Sequence, residues 1–196
     1  MNQRPALGCL FEVVETLVLT VVIFLGIQTF VAQPYKVQMG SMEVTLLPDQ
    51  YVLVDKLTPR WSAYERGDIV VFEPPPNWSA ANGVPFIKRV IGLPGDHVEL
   101  RDGRVYVNDT ALDEPYIHVD AGQPLTEPAA GGPSEWVVPQ GQLFVMGDHR
   151  DNSEDSRTFG PIDISGVIGR AWLRYWPIDT FTTLQRPSYS GVAAAP

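Results

Sequence analysis

The chain is poor in cysteine and in positive charge. Cys9 is the only cysteine, so no intrachain disulfide can form. It precedes the long apolar run, which argues against a lipoprotein anchor and predicts a thiol near the membrane interface. Lys and Arg number 14 against 23 Asp and Glu, giving a net charge of −9. A nucleic-acid-binding surface would be basic, so we predict no nucleic-acid partner.

One long stretch carries no charge at all. No charged residue lies between Glu15 and Lys36, and Val, Leu, Ile and Phe dominate the stretch. Its length matches the ~20 residues that a helix needs to cross a hydrocarbon core of about 30 Å. We predict a transmembrane anchor over residues 13–33. Arg4 and the amino terminus are the clear positive charges before it, which places residues 1–12 in the cytoplasm.

A cleaved signal peptide is the competing interpretation of this stretch. The apolar core of such a peptide spans about 7–15 residues and precedes a small-x-small cleavage site. Here the apolar run is longer, and the bulky Phe30 stands two residues before Ala32. A retained, single-pass anchor is therefore favoured.

Residues 34–185 are predicted to form one extracytoplasmic domain that is mainly β. Short runs of β-branched and aromatic residues between turn residues indicate strands at 51–56, 68–72, 86–92, 97–101, 104–108, 136–138, 143–146 and 167–175. Asp102-Gly103 supplies the positive φ angles of a two-residue hairpin turn. Residues 73–85 and 121–134 are predicted loops, and residues 186–196 a disordered tail.

Ser41 and Lys88 are the candidate catalytic pair. A serine hydroxyl becomes a good nucleophile only when an unprotonated base removes its proton, and free lysine has a pKa near 10.4. Burial among apolar neighbours disfavours the charged amine, and the sequence surrounds Lys88 with Phe86, Ile87, Val90 and Ile91. A fall of the pKa to about 8 would cost about 3 kcal/mol. Arg89 should face the other side of the strand, solvated or paired with Asp148 or Asp155.

Other chemistry is open to the same residues. A serine after an anchor and a lysine on a strand are each common without any catalytic role. The acidic residues after Gly147 lack the spacing of a calcium loop, and Ser156 stands where a kinase catalytic loop needs asparagine. No nucleophile elbow accompanies the histidines. These alternatives would use a metal at Asp148, Asp151 and Asp155, or a triad base at His97, His118 or His149.

Three segments together resemble the sequence boxes of bacterial type I signal peptidases, in order and across nearly the whole chain. They are Gly40-Ser41-Met42, Lys88-Arg89-Val90-Ile91-Gly92-Leu93-Pro94-Gly95-Asp96 and Gly147-Asp148-His149-Arg150-Asp151-Asn152-Ser153-Glu154-Asp155-Ser156-Arg157. The resemblance implies a nucleophile at Ser41, a general base at Lys88, a lysine-orienting hydroxyl at Ser153 and a supporting ion pair of Asp155 with Arg157. It also implies a signal-peptidase/LexA-like β protease core with a second β region at about 96–140, and neither a cofactor nor a metal.

Two positions depart from the family pattern. Val44 replaces the usual proline after Ser-Met-x, which removes a fixed φ angle beyond the nucleophile. Met39 stands where many members carry a serine whose hydroxyl completes the oxyanion hole. A thioether cannot donate a hydrogen bond, and the loss of one donor can cost about 2.7–4 kcal/mol.

The predicted function is therefore removal of signal peptides from exported preproteins at the outer surface of the cell membrane. The resemblance implies alanine-like residues one and three positions before the cut. Apolar side chains near the pair are the predicted substrate pocket: Tyr35, Val37, Met39, Met42, Leu46 and Ile87. A self-cleaving regulator is disfavoured because no helix-turn-helix domain precedes the serine. An inactive, membrane-tethered signal-peptide-binding module stays open because of Met39 and Val44.

Overall fold

The computed structural model describes residues 4–78, 83–118, 120, 126–189 and 191–192. The two predicted loops and the predicted tail therefore lie partly outside the described residues. The described chain consists of one long helix, α1, followed by a domain built almost entirely of antiparallel strands. The expectation of a mainly β domain after an apolar helix is confirmed.

Helix α1 covers Arg4–Phe30. Its segment Gly8–Phe30 has 23 residues and a mean hydropathy of 2.3, long and apolar enough to cross a membrane. The helix ends at Phe30, three residues before the end of the predicted anchor, and Pro34 disfavours a helical conformation at residue 33. Residues 32 and 33 pair with strand residues of the domain instead.

Twelve strands follow in the described residues: β1 Ala32–Lys36, β2 Tyr51–Asp55, β3 Ile69–Phe72, β4 Phe86–Gly92, β5 His97–Arg101, β6 Arg104–Val107, β7 Thr110–Ala111, β8 Glu135–Val137, β9 Gln142–Met146, β10 Ile162–Asp163, β11 Val167–Trp176 and β12 Thr182–Thr183. A one-turn helix, α2 (Ser156–Phe159), lies between β9 and β10. The main sheet has the order β1-β2-β11-β3-β4-β9-β10, with β12 beside β11. The smaller sheet has the order β7-β6-β5-β8.

The smaller sheet contains the predicted hairpin. Asp102 and Gly103 have φ angles of 53° and 72°, as the two-residue turn requires, and Arg101 pairs with Arg104 across it. Ile91, Phe144 and Met146 of the main sheet pack in one buried cluster with apolar residues of β5 and β6. This shared core joins the two sheets.

Strand β4 lies inside the main sheet, between β3 and β9. All its residues except Ile87 are buried, because separate apolar clusters cover the two faces of the sheet. Val70, Phe86 and Val90 belong to one cluster, while Ile69 and Val71 belong to the other, against which Ile87 packs. Two charged residues of β4, Lys88 and Arg89, are held in this enclosed position.

Candidate active site

Ser41 lies in a short 3-10 turn, Gly40–Met42, in the connection between β1 and β2. The turn is anchored to the core because the Met42 side chain is buried there and the Met42 carbonyl accepts from the Leu46 N–H at 2.7 Å. The His149 N–H donates to the Ser41 carbonyl at 3.1 Å. The turn thus presents the Ser41 hydroxyl while its backbone is held on both sides.

Lys88 reaches this hydroxyl from β4. Its Nζ is hydrogen-bonded to Ser41 Oγ at 2.5 Å, and the residue is only 1% exposed. Burial lowers the pKa of Lys88 from 10.5 to about 8, against the opposing negative charge of Asp155. Burial therefore makes about a tenth of the amine neutral at pH 7, far more than for a free lysine, and a base for Ser41 must be neutral.

Phe86 also faces this site, and its ring centre lies 5.3 Å from Lys88 Nζ. The period of two along a strand could have predicted this contact from the sequence. Residues two apart on a strand share a face, so Phe86 and Val90, rather than Ile87 and Ile91, are the strand neighbours that enclose the lysine. All four residues were predicted to surround Lys88, and only two of them share its face of the strand.

Asp155 organises the loop beside Lys88. Its carboxylate accepts from the Gly147 N–H at 3.0 Å, from Ser153 Oγ at 2.7 Å, and from Arg157 Nε and Nη2 at 2.9 Å each. Burial alone would raise the pKa of Asp155, but the hydrogen bond and charge of Arg157 outweigh it and leave the pKa below its ordinary value. Asp155 therefore remains ionised.

Ser153 does not hold the position expected for it. We predicted a hydrogen bond from its hydroxyl to Lys88, but the hydroxyl donates to Asp155, and the side-chain partner of Lys88 is Ser41. The buried, ionised carboxylate of Asp155 is a strong acceptor and fixes the direction in which the Ser153 hydroxyl donates. Ser153 still lines the same cleft as Lys88. Its contact with the lysine is indirect, through the carboxylate whose charge acts on the amine.

Gly147 sets how closely these segments approach. A Cβ on this residue would lie 2.3 Å from Ser153 Oγ and 2.5 Å from the Ser41 carbonyl oxygen. Only glycine leaves room for both, so any side chain at this position would push the Ser41 turn away from the Asp155 loop.

Arg89 occupies the opposite face of β4. Its guanidinium donates to both carboxylate oxygens of Asp148, at 2.8 and 2.6 Å, and to the Gly67 carbonyl at 2.9 Å. Asp148 and Asp155 are therefore each paired with an arginine. Two of the three carboxylates in the alternative metal site, which would use Asp148, Asp151 and Asp155, are thus already occupied. Asp151, the third, lies at the cleft.

Two depressions meet at Ser41. A cleft of about 650 Å³ is lined by Met39, Gly40, Ser41, Phe86, Lys88, Asp151, Asn152, Ser153 and Glu154. A pocket of about 20 Å³ is lined by Lys36, Val37, Gln38, Met39, Ser41, Met42, Pro85 and Ile87. Four of the predicted pocket residues thus lie at the small pocket, but Leu46 is completely buried in the core and Tyr35 packs half-buried against the same cluster.

The three histidines do not contact the Ser41 hydroxyl in the part of the chain that the structure describes. His97 is paired with Glu135 at the surface of the smaller sheet. His118 and His149 lie against each other, with ring centres 4.2 Å apart. The structure thus gives Ser41 a lysine rather than an imidazole as its side-chain partner.

The chain matches a family model described as "Signal peptidase, peptidase S26" over residues 10–176. A probable signal peptidase I-2 from Synechocystis sp. is 41% identical over 178 residues, which cover 90% of this chain and 78% of that protein. Signal peptidase I of Leptolyngbya laminosa is 38% identical over 95% of this chain and 89% of that protein. Signal peptidase IB of Staphylococcus aureus is 32% identical over 88% and 92%.

Among solved structures, a signal peptidase I from Enterococcus faecalis V583 is similar at 35% identity and a TM-score of 0.45, covering 56% of this chain and 97% of that one. The family match and the identities over most of each chain agree with the resemblance of the three sequence boxes. The chain belongs to the signal peptidase family, peptidase S26.

Proposed function

We propose that this chain is a membrane-anchored serine endopeptidase that removes signal peptides from exported preproteins with a Ser41/Lys88 dyad. One observation carries the proposal: Lys88 Nζ lies 2.5 Å from Ser41 Oγ at the bottom of an open cleft. The relatives named signal peptidase I supply the substrate class.

In the proposed mechanism, neutral Lys88 accepts the proton of Ser41 while Oγ attacks the carbonyl carbon of the scissile peptide bond. The lysine then returns this proton to the leaving amine. In the second half, Lys88 takes a proton from the water that attacks the carbonyl carbon of the acyl-enzyme. The lysine then gives this proton to Ser41 Oγ as the ester bond breaks, which releases the signal peptide and restores the serine hydroxyl and the neutral amine. With a pKa of about 8, about a tenth of Lys88 is ready to act as a base at pH 7.

The developing oxyanion needs hydrogen-bond donors. The first N–H groups of a helical turn have no acceptor within the turn, and the Ser41 N–H is one of these in the turn Gly40–Met42. We assign the Ser41 N–H as one oxyanion donor. Met39, at the start of this turn, offers a thioether that cannot donate.

Asp155 and Arg157 serve as positioning residues in this mechanism. Their ion pair holds Ser153 and Gly147 beside Ser41, and the charge of Asp155 keeps the pKa of Lys88 from falling further.

The small pocket suggests which residue precedes the cut. A volume of about 20 Å³ exceeds by little the ~10–15 Å³ that one water-sized group needs, so the pocket accommodates a methyl group and excludes larger side chains. We assign this pocket, with walls from Val37, Met42 and Ile87, to an alanine-like residue directly before the scissile bond.

The helix α1 determines where the reaction takes place. We propose that Gly8–Phe30 spans the cell membrane, with the residues before it in the cytoplasm and the domain from residue 34 to residue 185 outside. The Ser41 turn begins ten residues after Phe30, at Gly40. The site would therefore face the outer membrane surface, where preproteins emerge.

Labelling with a serine-reactive acylating inhibitor tests the proposal. The wild-type chain and a Ser62→Ala control, altered at an exposed serine, should each acquire one adduct that peptide mass spectrometry places on Ser41. Ser41→Ala should acquire none and should not cleave a preprotein. A wild-type chain that binds signal peptides but is neither acylated nor able to cleave them would be the inactive binding module.

A matched pair of preproteins tests the pocket assignment. Replacement of alanine by leucine directly before the cut should lower kcat/KM by at least about tenfold, since a well-packed pocket does not accept extra methylene groups without strain. Equal cleavage of the two preproteins would remove the small pocket from the recognition of that residue.

A further inference from the structure

A second polar cluster lies beside the Ser41 turn, on residues that the proposed mechanism does not use. Glu43, His118 and His149 come from three separate segments of the chain, and one donor atom of each lies within 4.8 Å of the other two. We predicted no metal from the sequence, and the spacing of these residues along the chain does not indicate one. Only the fold brings them together.

Asp120 fixes the orientation of both imidazoles. Its two carboxylate oxygens lie 2.9 Å from His118 Nε2 and 3.0 Å from His149 Nε2. An ionised carboxylate can only accept hydrogen bonds, so each Nε2 donates to Asp120, which in the neutral imidazole leaves the lone pair on Nδ1. A carboxylate that holds the outer nitrogen of a metal-binding histidine in this way is a recurrent feature of metal sites.

Both Nδ1 atoms are buried, and neither has a hydrogen-bond partner among the residues that the structure describes. His149 is only 7% exposed, and its Nδ1 lies 3.2 Å from Glu43 Oε2 without the alignment of a hydrogen bond. A buried polar atom without a partner is unfavourable. A cation bound between the two Nδ1 atoms and the Glu43 carboxylate would give all three groups a partner.

The geometry points to a divalent transition-metal ion. Zinc bound at about 2.0–2.1 Å to nitrogen and oxygen in a tetrahedral site holds neighbouring ligand atoms about 3.3 Å apart, close to the 3.2 Å between His149 Nδ1 and Glu43 Oε2. Imidazole donors suit zinc, cobalt, nickel and copper, whereas calcium and magnesium require oxygen ligands.

We propose that Glu43, His118 and His149 bind one divalent transition-metal ion of the zinc class, with Asp120 as the positioning residue. The side chains of Glu43 and His118 are 29% and 23% exposed, which gives the ion an entry path and leaves its fourth position to water. An ion of this kind draws three donors together that are now up to 4.8 Å apart.

This ion would connect the two segments that hold the nucleophile. The Glu43 N–H donates to the Gly40 carbonyl and closes the Ser41 turn, while the His149 N–H donates to the Ser41 carbonyl. A metal that joins these two side chains restrains the Ser41 backbone from both sides. Its role is structural or regulatory, since the Ser41 hydroxyl is already bonded to Lys88.

The test uses the full chain in detergent, purified without a polyhistidine tag and stripped of metal with a chelator. Zinc is titrated by calorimetry, and cobalt by its visible absorption, which reports four-coordinate binding. We expect one ion per chain. Affinity should fall at least tenfold in Glu43→Gln and in His118→Ala, and about 10–100-fold in Asp120→Asn, since outer-shell partners have effects of this size.

His97→Ala is the matched control, because it removes the remaining histidine at a surface site away from the cluster. It should bind zinc as the wild type does, and zinc should raise the unfolding temperature of both, but not that of His118→Ala. Absence of stoichiometric zinc and cobalt binding by the wild type would overturn the proposal. So would binding that persists in both Glu43→Gln and His118→Ala, or that His97→Ala abolishes.

Discussion

Lys88 and Arg89 are consecutive residues of the same strand, and each is only 1% exposed. Only one of the two side chains is paired with a carboxylate. Arg89 has a bidentate carboxylate partner in Asp148, and its guanidinium lies 3.9 Å from the centre of the Tyr116 ring. Lys88 forms no ion pair within 4 Å in the described part of the chain and is bonded to a hydroxyl.

The comparison shows what converts a buried cation into a base. Burial opposes the charge of both residues, but for Arg89 the hydrogen bonds and charge of Asp148 outweigh burial and raise its pKa. For Lys88 burial prevails and lowers the pKa to about 8. Arg89 therefore stays charged and structural, whereas Lys88 is available for proton transfer. The period of two along a strand places these environments on opposite faces.

The largest expected effect comes from putting an arginine into the lysine environment. Lys88→Arg keeps the positive charge, but a guanidinium stays protonated throughout the pH range in which proteins are folded and cannot act as a base. Preprotein cleavage should therefore fall at least about 10³-fold. Single-turnover assays measure the rate constant of cleavage, and circular dichroism checks that the variant is folded like the wild type. Lys56→Arg, at the end of β2, is the control and should retain activity. Substantial turnover by the Lys88 variant would remove lysine from the mechanism.

Arg89→Met tests the paired side of the comparison. Removal of one partner of a buried ion pair leaves an uncompensated charge and typically destabilises a protein by about 3–5 kcal/mol. We expect a loss of this size in denaturant unfolding, because Asp148 is completely buried. The double variant with Asp148→Asn should recover part of the loss. A change of under about 1 kcal/mol would mean that water reaches Asp148.

Replacement of Lys88 by methionine should increase the free energy of unfolding, whereas Arg89→Met should decrease it. The folded-state pKa of Lys88 is about 8, below its ordinary value of 10.5. Below pH 8 the buried charge therefore destabilises the fold by up to about 3 kcal/mol, and this effect disappears as pH rises from 8 to 10.5. Lys88→Met should thus be more stable than wild type at pH 7. A less stable variant would show that the Ser41 contact compensates the burial of the amine.

The pH dependence of cleavage should reveal the same pKa. Only neutral Lys88 accepts the proton of Ser41, so kcat/KM should increase about tenfold per pH unit up to a pKa of about 8 and then level off. His149→Ala should keep this profile. A profile controlled by a group near pH 6.5, and lost in His149→Ala, would indicate a histidine base.

The features that the sequence predicted correctly are those that depend on short segments. Local patterns predicted β4 with its bounds and the turn at Asp102-Gly103, because periodicity and turn chemistry are properties of short segments. Strand β1 was not predicted, since Ala32 and Gln33 fall within the uncharged stretch assigned to the anchor and Pro34 is unfavourable in most strands. The environment of Lys88 followed from the apolar residues around it.

Contacts between segments far apart in the sequence were harder to predict. Arg89 had two candidate carboxylates, and only the packing of β4 against the loop after β9 decides for Asp148. The same packing gives Ser153 to Asp155 rather than to Lys88. Leu46 was expected in the substrate pocket because of its closeness to Ser41 in sequence, but the turn directs it into the core.

The smallest effect concerns Met39, whose thioether precedes the turn that holds the proposed oxyanion donor, the Ser41 N–H. Met39 is 43% exposed and lines both the cleft and the small pocket beside Ser41. Met39→Ser should place a hydroxyl donor near the developing oxyanion and raise the single-turnover rate constant about fivefold, or about 1 kcal/mol. This is less than the ~2.7–4 kcal/mol of an optimised donor, because the site is not shaped around a serine.

Met39→Ala separates the hydroxyl from the shortening of the side chain. Both variants enlarge the small pocket, so both should cleave a preprotein with a larger residue before the cut better than wild type does. Only Met39→Ser should accelerate cleavage after alanine. Residue 39 also caps the 3-10 turn, and a capping serine accepts from the N–H groups of its turn. If this contact occupies the Ser41 N–H, the rate constant of Met39→Ser will fall below that of Met39→Ala, and Met39 then keeps the oxyanion donor free.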